Sequence, residues 1–255
     1  MIPLVTKLFI AGHSDSGDSY LAPGDLPWPE RTRTWLEESG SEPVELGSAR
    51  FAAMGPRAAD YLLGKVEEAA PDIVVLPIGA YVCTVATVTE SVRARFGDRA
   101  ARLFQQSESK FQARTRRGRL RVSANRAAQK AARRLLGART LATVSQTAAI
   151  YEEVLHRLAS IESLQVVVVR DARFSAEIQR REPRLHALFD ELEAAVLPVV
   201  EQHHFVLADL EGALRQAPDR GVFHLEDGVH TTAAFHEVYF GVMREALKEH
   251  LPAPA

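Results

Sequence analysis

The sequence predicts an α/β protein: a flavodoxin-like three-layer α/β/α sandwich built around a five-stranded parallel sheet, with a basic helical insertion. The main observation is that short apolar runs alternate with longer segments of helical periodicity along the 255 residues. Runs rich in Val and Ile with little polar alternation, such as 72–79 and 164–169, are typical of strands covered on both faces. The alternation itself indicates βαβ crossovers, which place helices on both sides of a parallel sheet.

Five runs bounded by turn residues are predicted as strands. They are LVTKLFIAG (4–12), PVELG (43–47), DIVVLPIG (72–79), LQVVVV (164–169) and HFVLADL (204–210). Six segments with helical periodicity are predicted as helices, namely 49–69, 85–96, 121–136, 145–161, 184–201 and 233–251. The sequence contains no internal repeat and no low-complexity linker, so we predict one domain over residues 1–255.

The segment 101–139 differs from the rest of the chain in its strongly basic charge. It contains twelve Lys or Arg against one acid, Glu108, which is a net charge of +11 and leaves −13 for the remainder of the chain. One interpretation is a solvated helical insertion that pairs with acidic surface elsewhere or in a neighbouring subunit of a homo-oligomer. The others are a lid over an anionic substrate and a nucleic-acid patch. Nucleic acid is the weaker of these two, because Phe111 is the only aromatic residue in the most basic part.

The overall composition narrows the class of protein. The net charge of −2 gives no general attraction to nucleic acid or to an anionic membrane, and no stretch approaches the roughly 18 apolar residues of a membrane span. Cys83 is the only cysteine, which excludes an intrachain disulfide and a thiolate metal cage. The N-terminal MIPLVTKLFIAG lacks the basic start of a signal peptide. We therefore predict a cytoplasmic protein that needs no cofactor.

Ligands of doubly wound sheets bind beyond the carboxyl ends of the strands, so the residues that follow each strand are the candidates for chemistry. Four short stretches occupy such positions. They are Gly12-His13-Ser14, Gly47, Gly79-Ala80-Tyr81, and Glu226-Asp227-Gly228-Val229-His230-Thr231-Thr232. A serine hydroxyl is activated by a histidine base, and the base needs an acceptor on its other ring nitrogen. Asp227, three residues before His230, can supply that acceptor.

These four blocks, in this order, resemble the SGNH hydrolases, also called the GDSL family of esterases and lipases. The family pattern is Gly-Asp-Ser after the first strand, a glycine after the second, Gly-x-Asn-Asp after the third, and Asp-x-x-His near the end. The likeness extends over essentially the whole chain, and the segment PWPERTRTWLEE (27–38) resembles the Trp-Pro segment of many members. It implies Ser14 as nucleophile, His230 as base and Asp227 as orienting acid, with backbone donors near Gly47 and Gly79.

Two positions depart from the family pattern. His13 stands where the family has aspartate, and it either shapes the pocket or is a simple turn residue. Tyr81 stands where the family has an asparagine that donates to the oxyanion, and the only asparagine of the chain, Asn125, lies in the basic segment. The Tyr81 hydroxyl can replace that donor, or the ring can serve as a pocket wall.

Ser14 is the predicted nucleophile because it follows the first strand directly, whereas Ser19 of the literal Gly-Asp-Ser string lies five residues farther on. His224, His230 and His236, with Glu226 and Asp227, could be read as metal ligands, but they lack the i, i+4 spacing of a zinc helix. We predict no metal. Cys83, without an evident base, is predicted to be a small core residue.

The predicted function is hydrolysis of esters of small acyl groups, with a small-molecule ester as substrate and no membrane partner. An O-acyltransferase would use the same residues, with an alcohol in place of water. A binding protein that has lost catalysis, because the third block lacks its asparagine, is the alternative from another class.

Overall fold

The computed structural model describes residues 5–12, 16–17, 21–40, 42–55, 57–84, 86–109, 139–181, 184–225 and 230–248. Its strands are β1 (Thr6–Gly12), β2 (Val44–Arg50), β3 (Ile73–Ile78), β4 (Ala86–Thr87), β5 (Arg139–Thr140), β6 (Gln165–Arg170) and β7 (Val206–Asp209). Its α-helices are α1 (Trp28–Gly40), α2 (Ala58–Ala69), α3 (Tyr81–Thr84), α4 (Val88–Ser109), α5 (Val144–Ala159), α6 (Ala176–Arg181), α7 (Arg184–Gln202), α8 (Leu210–Gln216) and α9 (Ala233–Leu247). A 3₁₀ turn spans Arg220–Phe223.

The described residues form two compact units, one from 1–80 and 144–255 and the other from 81–143. The first unit holds the main sheet, and the second holds α3, α4 and the antiparallel pair β4–β5. The second unit begins at residue 81, twenty residues before the predicted insertion. The single domain predicted over 1–255 remains a prediction.

The main sheet has five parallel strands in the order β2-β1-β3-β6-β7. This is the flavodoxin-like order, so the predicted fold class is confirmed. All six residues of the central strand β3 are buried, as expected for a strand with neighbours on both sides and helices on both faces.

Helices cover both faces of this sheet. One core cluster joins strand residues such as Ile10, Val75 and Val169 to α1, α8 and α9. On the opposite face α5 packs against α2 and α7. The apolar residues of α2 recur at helical spacing, with Ala59, Leu62, Leu63 and Val66 all buried. Among the described residues, no helix is both long and apolar enough to cross a membrane.

Several predicted boundaries were wrong. The second strand continues to Arg50, so the helix predicted from residue 49 begins only at Ala58. The helix predicted over 85–96 runs to Ser109 with a break at Gly97, whose φ of 82° is outside the helical region. Helix α1 was not predicted. The helix predicted over 121–136 lies outside the described residues.

Candidate active site

The first strand ends at Gly12, and a cleft of about 430 Å³ opens at this end of the sheet. The described residues that line it come from β1, β2 and the connection between them. They are Ile10, Gly12, Ser16, Gly17, Asp25, Leu26, Pro27, Pro29, Glu30, Leu46, Ser48, Ala49 and Arg50. Most of the residues nearest the strand ends are small, which leaves the space open. The cleft lies at the carboxyl edge, where ligands of such sheets bind.

Gly12 is required at the end of β1 because the chain approaches itself closely there. A Cβ atom at this position would come within 2.7 Å of the Ser16 Cβ atom, closer than real Cβ contacts allow. The predicted residues His13 and Ser14, and the alternative nucleophile Ser19, lie outside the described residues. Gly12 and Ser16, which flank Ser14 in the chain, both line the cleft.

Gly47 is not at a strand end, which corrects its predicted placement. It pairs with Phe9 in the middle of β2, and Ser48, Ala49 and Arg50 continue the ladder opposite Ile10, Ala11 and Gly12. A Cβ atom at Gly47 would lie 3.1 Å from the Phe9 ring, so the glycine makes room for that ring. The residue that follows β2 is Phe51, whose backbone N–H donates to the Gly12 carbonyl at 3.0 Å.

Gly79 does follow β3 directly, as predicted. Its backbone N–H donates to the hydroxyl of the buried Tyr151 at 2.9 Å, and the same hydroxyl donates to the Pro77 carbonyl at 3.1 Å. The strand end is thereby held onto α5. Tyr81 is 50% exposed and opens α3 in the second unit. Cys83 is buried, as expected of a small core residue.

His230 lies three residues before the first residue of α9. An antiparallel bridge joins His224 to Thr231, and the Leu225 N–H donates to the His230 carbonyl at 2.8 Å. The Thr232 hydroxyl donates to the Val222 carbonyl at 2.6 Å, which ties the start of α9 to the 3₁₀ turn. His230 itself is half-buried. The predicted orienting acid Asp227 lies outside the described residues.

A buried histidine on α9 has a role that the sequence did not reveal. The backbone N–H of Trp28, the first residue of α1, donates to Nδ1 of His236 at 3.1 Å. Burial, with a smaller contribution from the Arg31 guanidinium, lowers the pKa of the His236 imidazole to about 4. This histidine is therefore neutral at pH 7. No local pattern could have revealed the contact, because 208 residues separate the partners.

A second polar cluster follows β6 and was also missed. The Arg173 side chain is 3% exposed and lies 2.5 Å from Asp190 and 3.3 Å from Glu193, while its backbone N–H donates to Glu211 at 3.0 Å. Burial raises the pKa of the Asp171 carboxyl to about 7, and the nearby Glu211 carboxylate adds to this effect. The only sequence signal was the charged string RDAR directly after a predicted strand.

Among the described residues, no group of three or more His, Cys, Asp or Glu is arranged to hold a metal ion. Of the histidines considered as ligands, His236 accepts the Trp28 N–H at its Nδ1 atom. The described part of the site is thus an open cleft at the ends of β1 and β2 and, in the same unit, a histidine at the entry to α9.

No protein-family model and no curated protein matches the sequence. Solved structures with a similar fold include a lipase/acylhydrolase from Enterococcus faecalis, with a TM-score of 0.60, 17% identity and 98% and 99% of the two chains covered. TesA has a TM-score of 0.57 at 12% identity, over 96% of this chain and 100% of its own. Axe2, an acetylxylan esterase from Geobacillus stearothermophilus, has a TM-score of 0.53 at 13% identity, over 98% and 97% of the two chains.

Alanine replacements of one serine and one aspartate of Axe2 are described as catalytic mutants. At identities of this size the similarity establishes the fold. The described part of the chain therefore shares its α/β architecture with enzymes named as lipases, acylhydrolases and esterases.

Proposed function

We propose that this protein is a serine hydrolase of the SGNH type that cleaves esters of small acyl groups. The observation that carries the proposal is the cleft at the end of β1, because two of its lining residues, Gly12 and Ser16, flank Ser14 in the chain. The fold shared with acylhydrolases and esterases supports the same reaction class. Membership of the SGNH family and a cytoplasmic location are part of the proposal.

In the proposed reaction, the Ser14 hydroxyl attacks the acyl carbon while His230 takes its proton as general base. Asp227 accepts a hydrogen bond from the other ring nitrogen of His230 and stabilises the imidazolium that forms. The alcohol leaves with the proton held by His230, and water then cleaves the acyl-enzyme by the same route. An alcohol in place of water would make the same chemistry an acyl transfer.

The negative charge of the tetrahedral intermediate needs hydrogen-bond donors. We assign the backbone N–H of Ser14 to this role, and a donor role for the Tyr81 hydroxyl stays a prediction from the sequence. Gly47 is less suited than the sequence suggested, since it lies three residues before the end of β2. Gly79 is also less suited, because its N–H is bonded to Tyr151. His13 is assigned to the pocket wall.

The volume and lining of the cleft support a small, partly polar substrate. A volume of about 430 Å³ suits a small molecule rather than a long lipid chain. Apolar residues such as Ile10 and Leu46 lie in it beside Asp25, Glu30 and Arg50, so both an acyl group and a polar alcohol find matching contacts. We therefore place short-chain esters of polar alcohols in this site.

Covalent labelling tests the proposal. A fluorophosphonate probe should add to one serine of the wild-type protein, as read by intact-mass spectrometry, and Ser14→Ala should abolish the adduct. Ser19→Ala is the matched control, because it removes the alternative nucleophile of the same loop and should label at the wild-type rate. A folded wild-type protein that does not label, and does not hydrolyse p-nitrophenyl acetate, would instead support a binding protein.

A further inference from the structure

We propose that His236 is a positioning residue that holds one wall of the cleft in register with the helix that follows His230. It does so by accepting the backbone N–H of Trp28 across the interface of α1 and α9. The catalytic consequence rests on the proposed function, whereas the structural contact does not.

The hydrogen bond satisfies a group that α1 cannot satisfy itself. The first N–H groups of a helix have no intrahelical acceptor, and such a donor is costly when it is buried. Trp28 begins α1 and is 0% exposed, and Pro29 beside it has no N–H. His236, which is 2% exposed, thus caps α1 from a helix 208 residues away in the chain.

Two further contacts reinforce the same junction. The Trp28 ring stacks on Tyr239 of α9, with centroids 4.0 Å apart and planes 5° from parallel. Arg31 of α1 forms an ion pair with Glu237, the neighbour of His236. Among these contacts, only the bond to Nδ1 fixes the position of the backbone at Trp28, because stacked rings can slide and the ion pair lies at the surface.

This junction connects the two parts of the proposed site. Pro27, Pro29 and Glu30, which surround Trp28 in the chain, line the cleft. The two prolines have restricted φ angles, so the position of the Trp28 N–H sets that of the wall. On the other side, His236 lies six residues after His230, and its N–H donates to the Thr232 carbonyl at 3.2 Å in the first turn of α9.

The bond requires a neutral imidazole, since a protonated Nδ1 would face the Trp28 N–H with a second donor. The charged groups at the junction favour the neutral form. Arg31 on α1 opposes a positive charge on His236, and Glu237 on α9 is paired with Arg31. Replacements by Asn and Gln distinguish the effect of the hydrogen bond from the effect of ring packing. The side-chain oxygen of Asn can occupy the place of Nδ1 and accept the same N–H, whereas the oxygen of Gln extends toward the place of Nε2.

The test compares His236→Asn and His236→Gln with wild type and with His203→Gln, a histidine of the same unit that contacts His156 instead. Hydrogen exchange at the Trp28 amide should accelerate at least about tenfold in His236→Gln and remain near wild type in His236→Asn and His203→Gln. For p-nitrophenyl acetate, kcat/KM should fall roughly 10- to 100-fold in His236→Gln and recover in His236→Asn.

Wild-type exchange at Trp28 in His236→Gln would overturn the proposal, as would equal losses in the Asn and Gln variants, which would indicate packing of the ring. Accelerated exchange with unchanged kcat/KM would overturn the positioning role and leave only a structural cap. If the wild-type protein hydrolyses no ester, the proposed function fails, and the exchange at Trp28 still decides whether His236 holds the wall.

Discussion

The carboxyl edge of the sheet differs between its two ends. At the β1–β2 end, small residues such as Gly12, Ser16 and Ala49 leave a cleft of about 430 Å³. At the β6–β7 end, long charged side chains bond to one another instead, with Arg170 2.8 Å from Glu193 and the buried Arg173 2.5 Å from Asp190.

The difference shows how one edge can serve two purposes. Buried charges are stable only when they are paired and hydrogen-bonded, so the β6–β7 end is specified by mutual contacts and has a structural role. The described residues that line the cleft at the β1–β2 end are mostly small or apolar and leave space for a ligand. Substitutions at the open end should therefore change activity, and substitutions at the charged end should change stability.

The largest effect is expected from the proposed base. His230→Ala should lower kcat for p-nitrophenyl acetate roughly 10⁴- to 10⁶-fold, because a serine without its base retains only oxyanion and binding effects. Steady-state kinetics measure this change, with His203→Ala as a control that should keep wild-type turnover. Unchanged turnover in His230→Ala would remove this base from the mechanism.

At the charged end, Asp171 should make stability fall with rising pH. Its pKa is about 7 in the folded protein and near 3.8 in the unfolded chain, so the folded state holds the proton more tightly. The resulting stabilisation is complete below pH 3.8 and is lost as the pH rises to 7, by at most about 4 kcal/mol.

Urea unfolding at several pH values measures this dependence, and Asp171→Asn should flatten it over that range. Asp60→Asn, which alters an exposed carboxylate paired with Arg157, is the matched control and should leave the profile unchanged. A wild-type profile in Asp171→Asn would show that burial does not control this carboxyl.

Removing the buried cation of the same cluster should also destabilise the fold. Arg173→Met takes a partner from Asp190 and Glu193 and should reduce the free energy of unfolding by about 3 kcal/mol. This loss is at the low end of the range for breaking a buried ion pair, because Glu193 still forms an ion pair with Arg170.

Arg157→Met is the control for Arg173→Met in the same unfolding experiment. It breaks an exposed pair with Asp60 and should cost less than about 1 kcal/mol. The esterase KM should be unchanged in both variants. A shift in KM in Arg173→Met alone would mean that the charged end also contacts the substrate.

An effect smaller than that of Asp171 is expected from His236. Its pH dependence is opposite, because burial lowers the pKa of an imidazole and raises that of a carboxyl. The pKa of His236 is about 4 in the folded protein and 6.5 in the unfolded chain, so the unfolded state takes up the proton first as the pH falls. Stability present above pH 6.5 is lost between pH 6.5 and 4, by at most about 3 kcal/mol. Thermal unfolding should show this loss in wild type and not in His236→Asn. Equal losses in both proteins would assign the loss to other groups.

The sheet was predictable because its strands are locally distinct. Runs of Val and Ile located β3 and β6 to within a residue of their observed positions, and their alternation with helical segments indicated a parallel sheet. The end of β2 was misplaced because Gly47-Ser48-Ala49 has the composition of a turn. Pairing with β1 as far as Gly12 nevertheless keeps these residues in the strand.

The sequence by itself determined the fold class, the strand ends at Gly12 and Gly79, and the order of the residues proposed for catalysis. Tertiary structure alone decided that His236 caps α1 and that Arg173 contacts Glu211, Asp190 and Glu193. The physical reason is that strand and helix propensities act between residues close in the chain. Contacts between distant residues depend instead on which elements the sheet order β2-β1-β3-β6-β7 brings together.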